Sequence, residues 1–395
     1  MSMRAKPLLA TCFLLTLFGA AQSRAGLFKP YEVQPAGSWP VALASGDLDG
    51  DGRRDIVVAN ECTHCDVMVL FQGPAGTFAS PVHLVTWTST SVAVGDFDKN
   101  GLLDVVAANG AGVTLFRQTS PRSFAAPVEI DLFQGAFKVA VEDVDRDGHH
   151  DIIAVPWGSN ADDLVHILLN DTHGSFTVSE KILKHYGYDD LKLADLNGDG
   201  IDDMLVVSGQ GTVRNNIGVL YGTGNSSLFG PPAYLDAGYP SLWESVAVVP
   251  MPGHLPSLTL ASGSGLFLQM LSQPSLGTFS ATATLPVSEW PEGILATDLD
   301  GDGRVDLATV RGGEFQYWAQ NCGGGFDPRH VVEVPWANYQ NSHEFTVGDF
   351  NGDGLSDVTL ASDNHGVVLL LRDPDFLTEM SFESGSLCEW SAVSP

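Results

Sequence analysis

Positive charge is scarce in this chain. Lys and Arg together number 19 against 48 Asp and Glu over 395 residues, a formal net charge of −29. Such a balance argues against nucleic acid or an anionic membrane as partner. Cysteine is equally sparse, with 5 residues. Signatures of catalysis are missing: there is no G-x-S-x-G, no H-E-x-x-H and no Gly-rich phosphate loop. Long apolar runs are missing too, except for Leu8 to Phe18, which follows Arg4 and Lys6 and precedes Ser23-Arg24-Ala25. That run is too short to span a bilayer and predicts a secretory signal over residues 1–25, with Gly19-Ala20-Ala21 as the other cleavage candidate. Cys12 lies before the apolar core ends, which argues against lipoprotein processing there. The expected protein is secreted, extracellular or at the cell surface, without a transmembrane segment.

What the chain has in abundance is one nine-residue pattern, D-x-[DN]-x-[DN]-G-x-x-D. It occurs at Asp47–Asp55, Asp96–Asp104, Asp143–Asp151, Asp195–Asp203, Asp298–Asp306 and Asp349–Asp357. The spacing is roughly 50 residues, with one interval of about two periods, and this predicts a propeller or solenoid. The copy missing from the wide interval is eroded: Ser245-Val-Ala-Val-Val249 leads into Pro250-Met-Pro-Gly-His-Leu-Pro256, which has no acidic residue. Short carboxylates and amides at positions 1, 3, 5 and 9, with a glycine at 6, are what a hard, oxygen-seeking cation requires. The expected calcium ligands are Asp47, Asp49, Asp51 and Asp55; Asp96, Asp98, Asn100 and Asp104; Asp143, Asp145, Asp147 and Asp151; Asp195, Asn197, Asp199 and Asp203; Asp298, Asp300, Asp302 and Asp306; and Asp349, Asn351, Asp353 and Asp357. The position-7 residues Arg53, Leu102, His149, Ile201, Arg304 and Leu355 are expected to contribute backbone carbonyls. Position 12 is never the glutamate of an EF-hand, and a strand pattern starts directly after position 9, so the loop closes a hairpin. The plainer alternative is a set of Asp/Asn/Gly turns without metal; six repetitions favour about six calcium sites.

Each repeat shares an internal order. A strand of small and apolar residues enters the loop, as in Val41-Ala-Leu-Ala, and a second leaves it, as in Ile56-Val-Val-Ala. A larger third follows, as in Val67-Met-Val-Leu-Phe71, and then a fourth that opens on Phe78, Phe124, Phe176, Phe229, Phe279 or Phe326. Four short strands per period describe a propeller blade. The last repeat lacks its fourth strand, whereas Gly26-Leu-Phe28-Lys-Pro-Tyr-Glu-Val33 matches Gly76-Thr-Phe78-Ala-Ser-Pro-Val-His-Leu84. The fold class is therefore all-β: a seven-bladed β-propeller over residues 26–372, closed by the N-terminal strand, with a tail over 373–395.

These loops and strands resemble the FG-GAP/VCBS repeat family, whose calcium-bearing propellers include the integrin alpha-subunit head and some fungal lectins. The resemblance covers about residues 26–372. It implies calcium held through the side chains at positions 1, 3, 5 and 9 of the six intact loops, and none in the fifth blade. It fixes fold and metal far better than activity.

Without Cys12, four cysteines remain. Cys62-Thr-His-Cys65 is read foremost as a local disulfide in the connection between second and third strands of the first blade, with zinc or free thiols as alternatives. Cys322 and Cys388 offer a second bridge. Isolated His83, His166 and His185 are read as strand or surface residues. The connections from fourth to first strands, on the face away from the acidic loops, carry Trp39, Trp87, Tyr186, Tyr188, Tyr239, Trp243, Trp290, Trp336 and Tyr339. Such rings serve either as anchors against the next blade or as a binding rim. Two functions stay open: a monomeric binding or adhesion propeller with an extracellular glycan or protein ligand, and a polysaccharide-active, lyase-like enzyme. The few cations, none clustered on the rim, favour the first.

Overall fold

The computed structural model describes residues 26–374, apart from 62–65, 87, 157–162, 172–173, 184–188, 208–216, 225–226, 236, 238–242, 252, 292, 336–344 and 363–364. Along it run seven four-stranded antiparallel sheets. The first begins with Pro40–Gly46, Asp55–Asn60, Asp66–Leu70 and Val82–Val85. The innermost strands of the next six are Ser89–Gly95, Lys138–Glu142, Asp190–Ala194, Trp243–Val249, Gly293–Thr297 and Phe345–Gly348. Neighbouring innermost strands touch from the first blade to the sixth and again between the seventh and the first. The sixth and seventh blades share one core cluster, so the ring is closed.

Closure comes from the N-terminal segment, as the missing fourth strand requires. Glu32–Gln34 pairs antiparallel with Gly366–Leu370, placing Val33 opposite Val368. Phe28 bridges Arg372, and Lys29 N donates to Leu371 O at 2.8 Å. The fifth blade keeps its four strands although its loop is eroded. The second blade adds a small ribbon, Gln118–Ser120 against Ser123–Phe124.

The cores lie between blades, and one rule builds most of them. The apolar residue at loop position 2 shares a cluster with the fourth-strand phenylalanine of the following blade. Leu48 meets Phe124, Phe97 meets Phe176 and Val144 meets Phe229. Leu196 meets Phe279, Leu299 meets Phe28 and Phe350 meets Phe78. The Phe97 and Phe176 rings meet edge to face at 5.7 Å. Each such ring removes apolar surface worth about 1.5–3 kcal/mol from water.

Polar clamps reinforce the same seams. The Gln118 amide donates to Leu48 O (2.7 Å) in the preceding loop and to Leu103 O (2.9 Å) in its own. Asn170 does likewise to Phe97 O and His150 O, and Gln273 to Leu196 O and Pro256 O. On the opposite side of the ring wall a buried network spans three blades. Asp190 accepts from Lys138 Nζ at 3.0 Å and from Ser245 Oγ at 2.6 Å, with Lys192 Nζ 3.4 Å away. Burial pushes the Asp190 carboxyl up, but Lys138, Lys192 and these hydrogen bonds outweigh it and hold it well below the usual carboxylate range. Among the described residues no helix is long and apolar enough to cross a membrane.

Candidate metal centres

The acidic loops connect the first and second strands of six blades, all on one face of the ring. Their shape follows from backbone N–H groups captured by the repeated side chains. At position 1, Asp47 accepts Asp51 N and Gly52 N on its two oxygens, each at 2.9 Å. The same grip on the position-6 glycine recurs at Asp96, Asp143, Asp195, Asp298 and Asp349, at 2.8–2.9 Å. The position-5 side chain accepts the position-7 N–H: Asp51 from Arg53, Asn100 from Leu102, Asp147 from His149, Asp199 from Ile201, Asp302 from Arg304 and Asp353 from Leu355. Glycine is needed at position 6, where φ is +83° at Gly52 and +84° at Gly303, with nothing near a notional Cβ.

Position 9 differs from the rest of the loop. Asp55, Asp104, Asp151, Asp203, Asp306 and Asp357 are all buried. One oxygen of each accepts the position-2 N–H: Leu48, Phe97, Val144, Leu196, Leu299 and Phe350, at 2.9–3.1 Å. The other accepts the N–H of a residue at the end of the third strand or two positions past it: Gln72, Gln118, Asn170, Gly222, Gln320 or Arg372, at 2.7–2.9 Å. Each of these residues also pairs with its own blade's phenylalanine. So the position-9 carboxylate ties loop, third strand and fourth strand together and, except at Asp306 Oδ2, which also accepts Asp300 N at 3.4 Å, keeps one lone pair on each oxygen.

Electrostatically, the loops suit a cation. Burial, opposed by those two N–H bonds and aided by neighbouring carboxylates, pushes Asp104 and Asp306 up to about 7. The same balance puts Asp55, Asp151, Asp203 and Asp357 at about 6. Ligand atoms converge within 4.8 Å in Asp47/Asp49/Asp55, Asp96/Asp98/Asp104, Asp143/Asp145/Asp147 and Asp298/Asp300/Asp302. In the third loop Asp143 Oδ1 is buried without a hydrogen-bond partner. An all-oxygen donor set with an orphaned, buried carboxylate oxygen fits a hard divalent cation. The loops of the fourth and seventh blades carry Asn197 and Asn351 at position 3 and share the same hydrogen-bond scheme. The two position-7 arginines bridge outward and back: Arg53 Nε donates to Gln72 O and Arg304 Nε to Gln320 O, while their Nη2 groups pair with Asp51 and Asp302.

The aromatic face is opposite, by chain direction. Trp39 is 60% exposed and Trp290 is 54% exposed, each just before an innermost strand. Phe133, not anticipated as a rim residue, is 72% exposed in the equivalent connection before Lys138. Trp39 holds a left-handed backbone, φ +59°, unusual for so bulky a residue, and its carbonyl accepts Glu61 N at 2.9 Å. Trp243 is a correction to the rim reading. It is 1% exposed, because the innermost strand already starts there and turns the ring inward onto Phe267, edge to face at 6.4 Å. It anchors the seam between the fourth and fifth blades. Trp87, Tyr186, Tyr188, Tyr239, Trp336 and Tyr339 lie outside the described residues, as do Cys62, Cys65, Cys388, His185 and the segments 1–25 and 375–395. His166 is buried, its Nε2 2.7 Å from Phe133 O.

A family model described as FG-GAP-like repeat matches residues 47–107, 96–154, 143–206 and 298–360. The unmatched stretch between 206 and 298 holds the blade with the eroded loop. No curated protein matches the chain. Among solved structures, an Agrocybe aegerita lectin that recognises non-reducing terminal N-acetylglucosamine aligns with TM-score 0.54 and 19% identity, over 75% of this chain and 81% of that one. BBS1N in complex with ARL6DN gives TM-score 0.59 and 12% identity over 88% and 97%. A protein from Lactobacillus plantarum gives 0.53 and 14% over 77% and 88%. At these identities the likeness is one of fold.

Proposed function

Because the chain belongs to the FG-GAP-like repeat family, we propose that it is an exported, calcium-stabilised propeller that works as a binding module for an extracellular glycan or protein. Calcium has a structural part in this reading. Asp47, Asp96, Asp143, Asp195, Asp298 and Asp349, with the residues at positions 3, 5 and 9 and the position-7 carbonyls, hold the ion. Its charge relieves carboxylates that burial and mutual repulsion otherwise disfavour.

The observation that carries the binding role is the exposure of Trp39, Phe133 and Trp290 on the face away from the acidic loops. Exposed rings suit a sugar's apolar face, and the indole N–H of Trp39 and Trp290 suits its hydroxyls. Support comes from a lectin sharing the fold, though at 19% identity only the fold is carried over. The test is a glycan array run with calcium, followed by Trp39→Ala and Trp290→Ala. Loss of a stacked ring is worth about 1.4 kcal/mol, a tenfold drop in affinity. Binding that survives both substitutions in folded protein refutes the rim. Hydrolysis or elimination measured on a polysaccharide hit establishes the enzyme instead.

A further inference from the structure

The loops of the first and sixth blades are nearly one sequence. Asp47-Leu-Asp-Gly-Asp-Gly-Arg-Arg-Asp55 and Asp298-Leu-Asp-Gly-Asp-Gly-Arg-Val-Asp306 differ only at position 8. In both, the position-7 arginine reaches back to the position-5 carboxylate, Arg53 to Asp51 and Arg304 to Asp302. Their surroundings differ. A second arginine enters the first loop from the neighbouring blade: Arg122 Nε lies 2.5 Å from Asp49 Oδ2 and its Nη2 3.4 Å from Asp51 Oδ2. In the sixth loop the neighbour's arginine, Arg372, donates to the Asp300 backbone carbonyl and leaves the side chains alone. The converging carboxylates differ accordingly. Asp302 is gathered with Asp298 and Asp300, whereas Asp51 is left out of the group formed by Asp47, Asp49 and Asp55.

Arg122 is held in place rather than drifting over the surface. It sits at the turn of the ribbon found in the second blade, with φ +64°. Its N–H donates to Gln118 Oε1 at 2.6 Å. Its guanidinium lies over the Phe71 ring, 4.8 Å from the centroid. Gln118 in turn clamps the first loop through Leu48 O. The position-8 difference, Arg54 for Val305, points elsewhere, since Arg54 Nη1 donates to Ser45 Oγ and its stem lies against Gly348.

We propose that Arg122 is a tethered cation competing with the divalent ion for Asp49 and Asp51, which makes the first blade's loop a weaker calcium site than the sixth blade's. The inference rests on the calcium reading of the loops. An incoming ion needs those two carboxylates at 2.3–2.6 Å. It must turn them off a second guanidinium, beyond the position-7 arginine that both loops share, and then sit beside that added charge; the sixth loop has no such arginine on its carboxylates.

The experiment is a calcium titration of the metal-free, full-length protein, following the Gly52 and Gly303 amide resonances by NMR. Gly52 is expected to reach half-saturation at about tenfold higher calcium than Gly303. Arg122→Gln should bring the two together, and Arg122→Lys, keeping the charge without the fork, should fall between. Equal midpoints in the unmodified protein overturn the proposal, and that comparison stands even if a variant fails to fold. Weaker calcium binding at Gly52 in Arg122→Gln also overturns it, showing that Arg122 supports the ion. If neither glycine responds to calcium, the metal assignment falls first and this inference with it.

Discussion

Replacing Phe28 by alanine tests how the ring is held shut. The side chain is 7% exposed, with its ring edge to face against Phe315 at 5.7 Å and Tyr317 at 6.0 Å. It also shares a cluster with Leu299, the wedge of the sixth loop. A core phenylalanine cut to alanine costs about 3–5 kcal/mol. A ring of roughly 350 residues unfolds with an entropy near 0.7 kcal/mol per kelvin, so the melting temperature should fall by about 4–7 °C. Phe229 is the internal control, because it occupies the same place between the third and fourth blades but has chain on both sides within the ring. Only the Phe28 change should also loosen Glu32–Gln34 from Gly366–Leu370, freeing a strand edge that invites association. The assay is thermal unfolding with limited proteolysis and light scattering, on Phe28→Ala, Phe229→Ala and a protein beginning at Gly37. If Phe28→Ala melts like the unmodified protein, or the shortened protein melts like the full one, the N-terminal strand does not close the ring.

Removing calcium should cost far more than any single side chain. With an affinity of about 0.1 mM, each site contributes about 1.4 kcal/mol at 1 mM calcium, and six give about 8 kcal/mol. Chelator should lower the melting temperature, most at low salt, and elemental analysis should find five to six ions; no shift, or fewer than five ions, refutes the six-site assignment. Glu244 should set a pH dependence on the opposite face. Burial and then the Asp189 charge push its carboxyl up to about 7, with Arg311 pulling the other way. A raised acid favours the folded state while protonated, so its contribution is full below about 4.3 and is lost as pH rises through 7. Glu244→Gln keeps the neutral form, and should gain about 1–2 kcal/mol over the unmodified protein between pH 5 and pH 8 in denaturant unfolding. Parallel pH profiles refute this.

Phe28 and the six acidic loops were legible in the sequence because each is a local pattern repeated in register. Blade number and closure followed from counting copies. The seams between blades are a different matter, since their contacts join residues about one and a half repeats apart, such as Gln118 to Leu48 and Gln273 to Leu196. Within a single repeat nothing marks them. Stacked copies do carry a signal: position 2 is Leu48, Phe97, Val144, Leu196, Leu299 or Phe350, apolar in all six loops, although only the acidic positions drew the reading. Trp243 was misplaced because period alone does not say where a strand starts. The strand begins two residues earlier, across a register shift between Trp243 and Ser245 that puts the ring on the Val246 side, in the core. Arg122 lay beyond repeat reasoning because it breaks the repeat: the corresponding turns have Gly76, Gly174, Gly277 and Gly324, all with positive φ, where the second blade has this arginine. Repetition encodes what the blades share, which is the scaffold and its acidic turns. Whatever distinguishes this propeller from another must therefore reside in the departures from register. Those are the Arg122 ribbon, the proline-rich loop of the fifth blade, and the connections that present Trp39, Phe133 and Trp290.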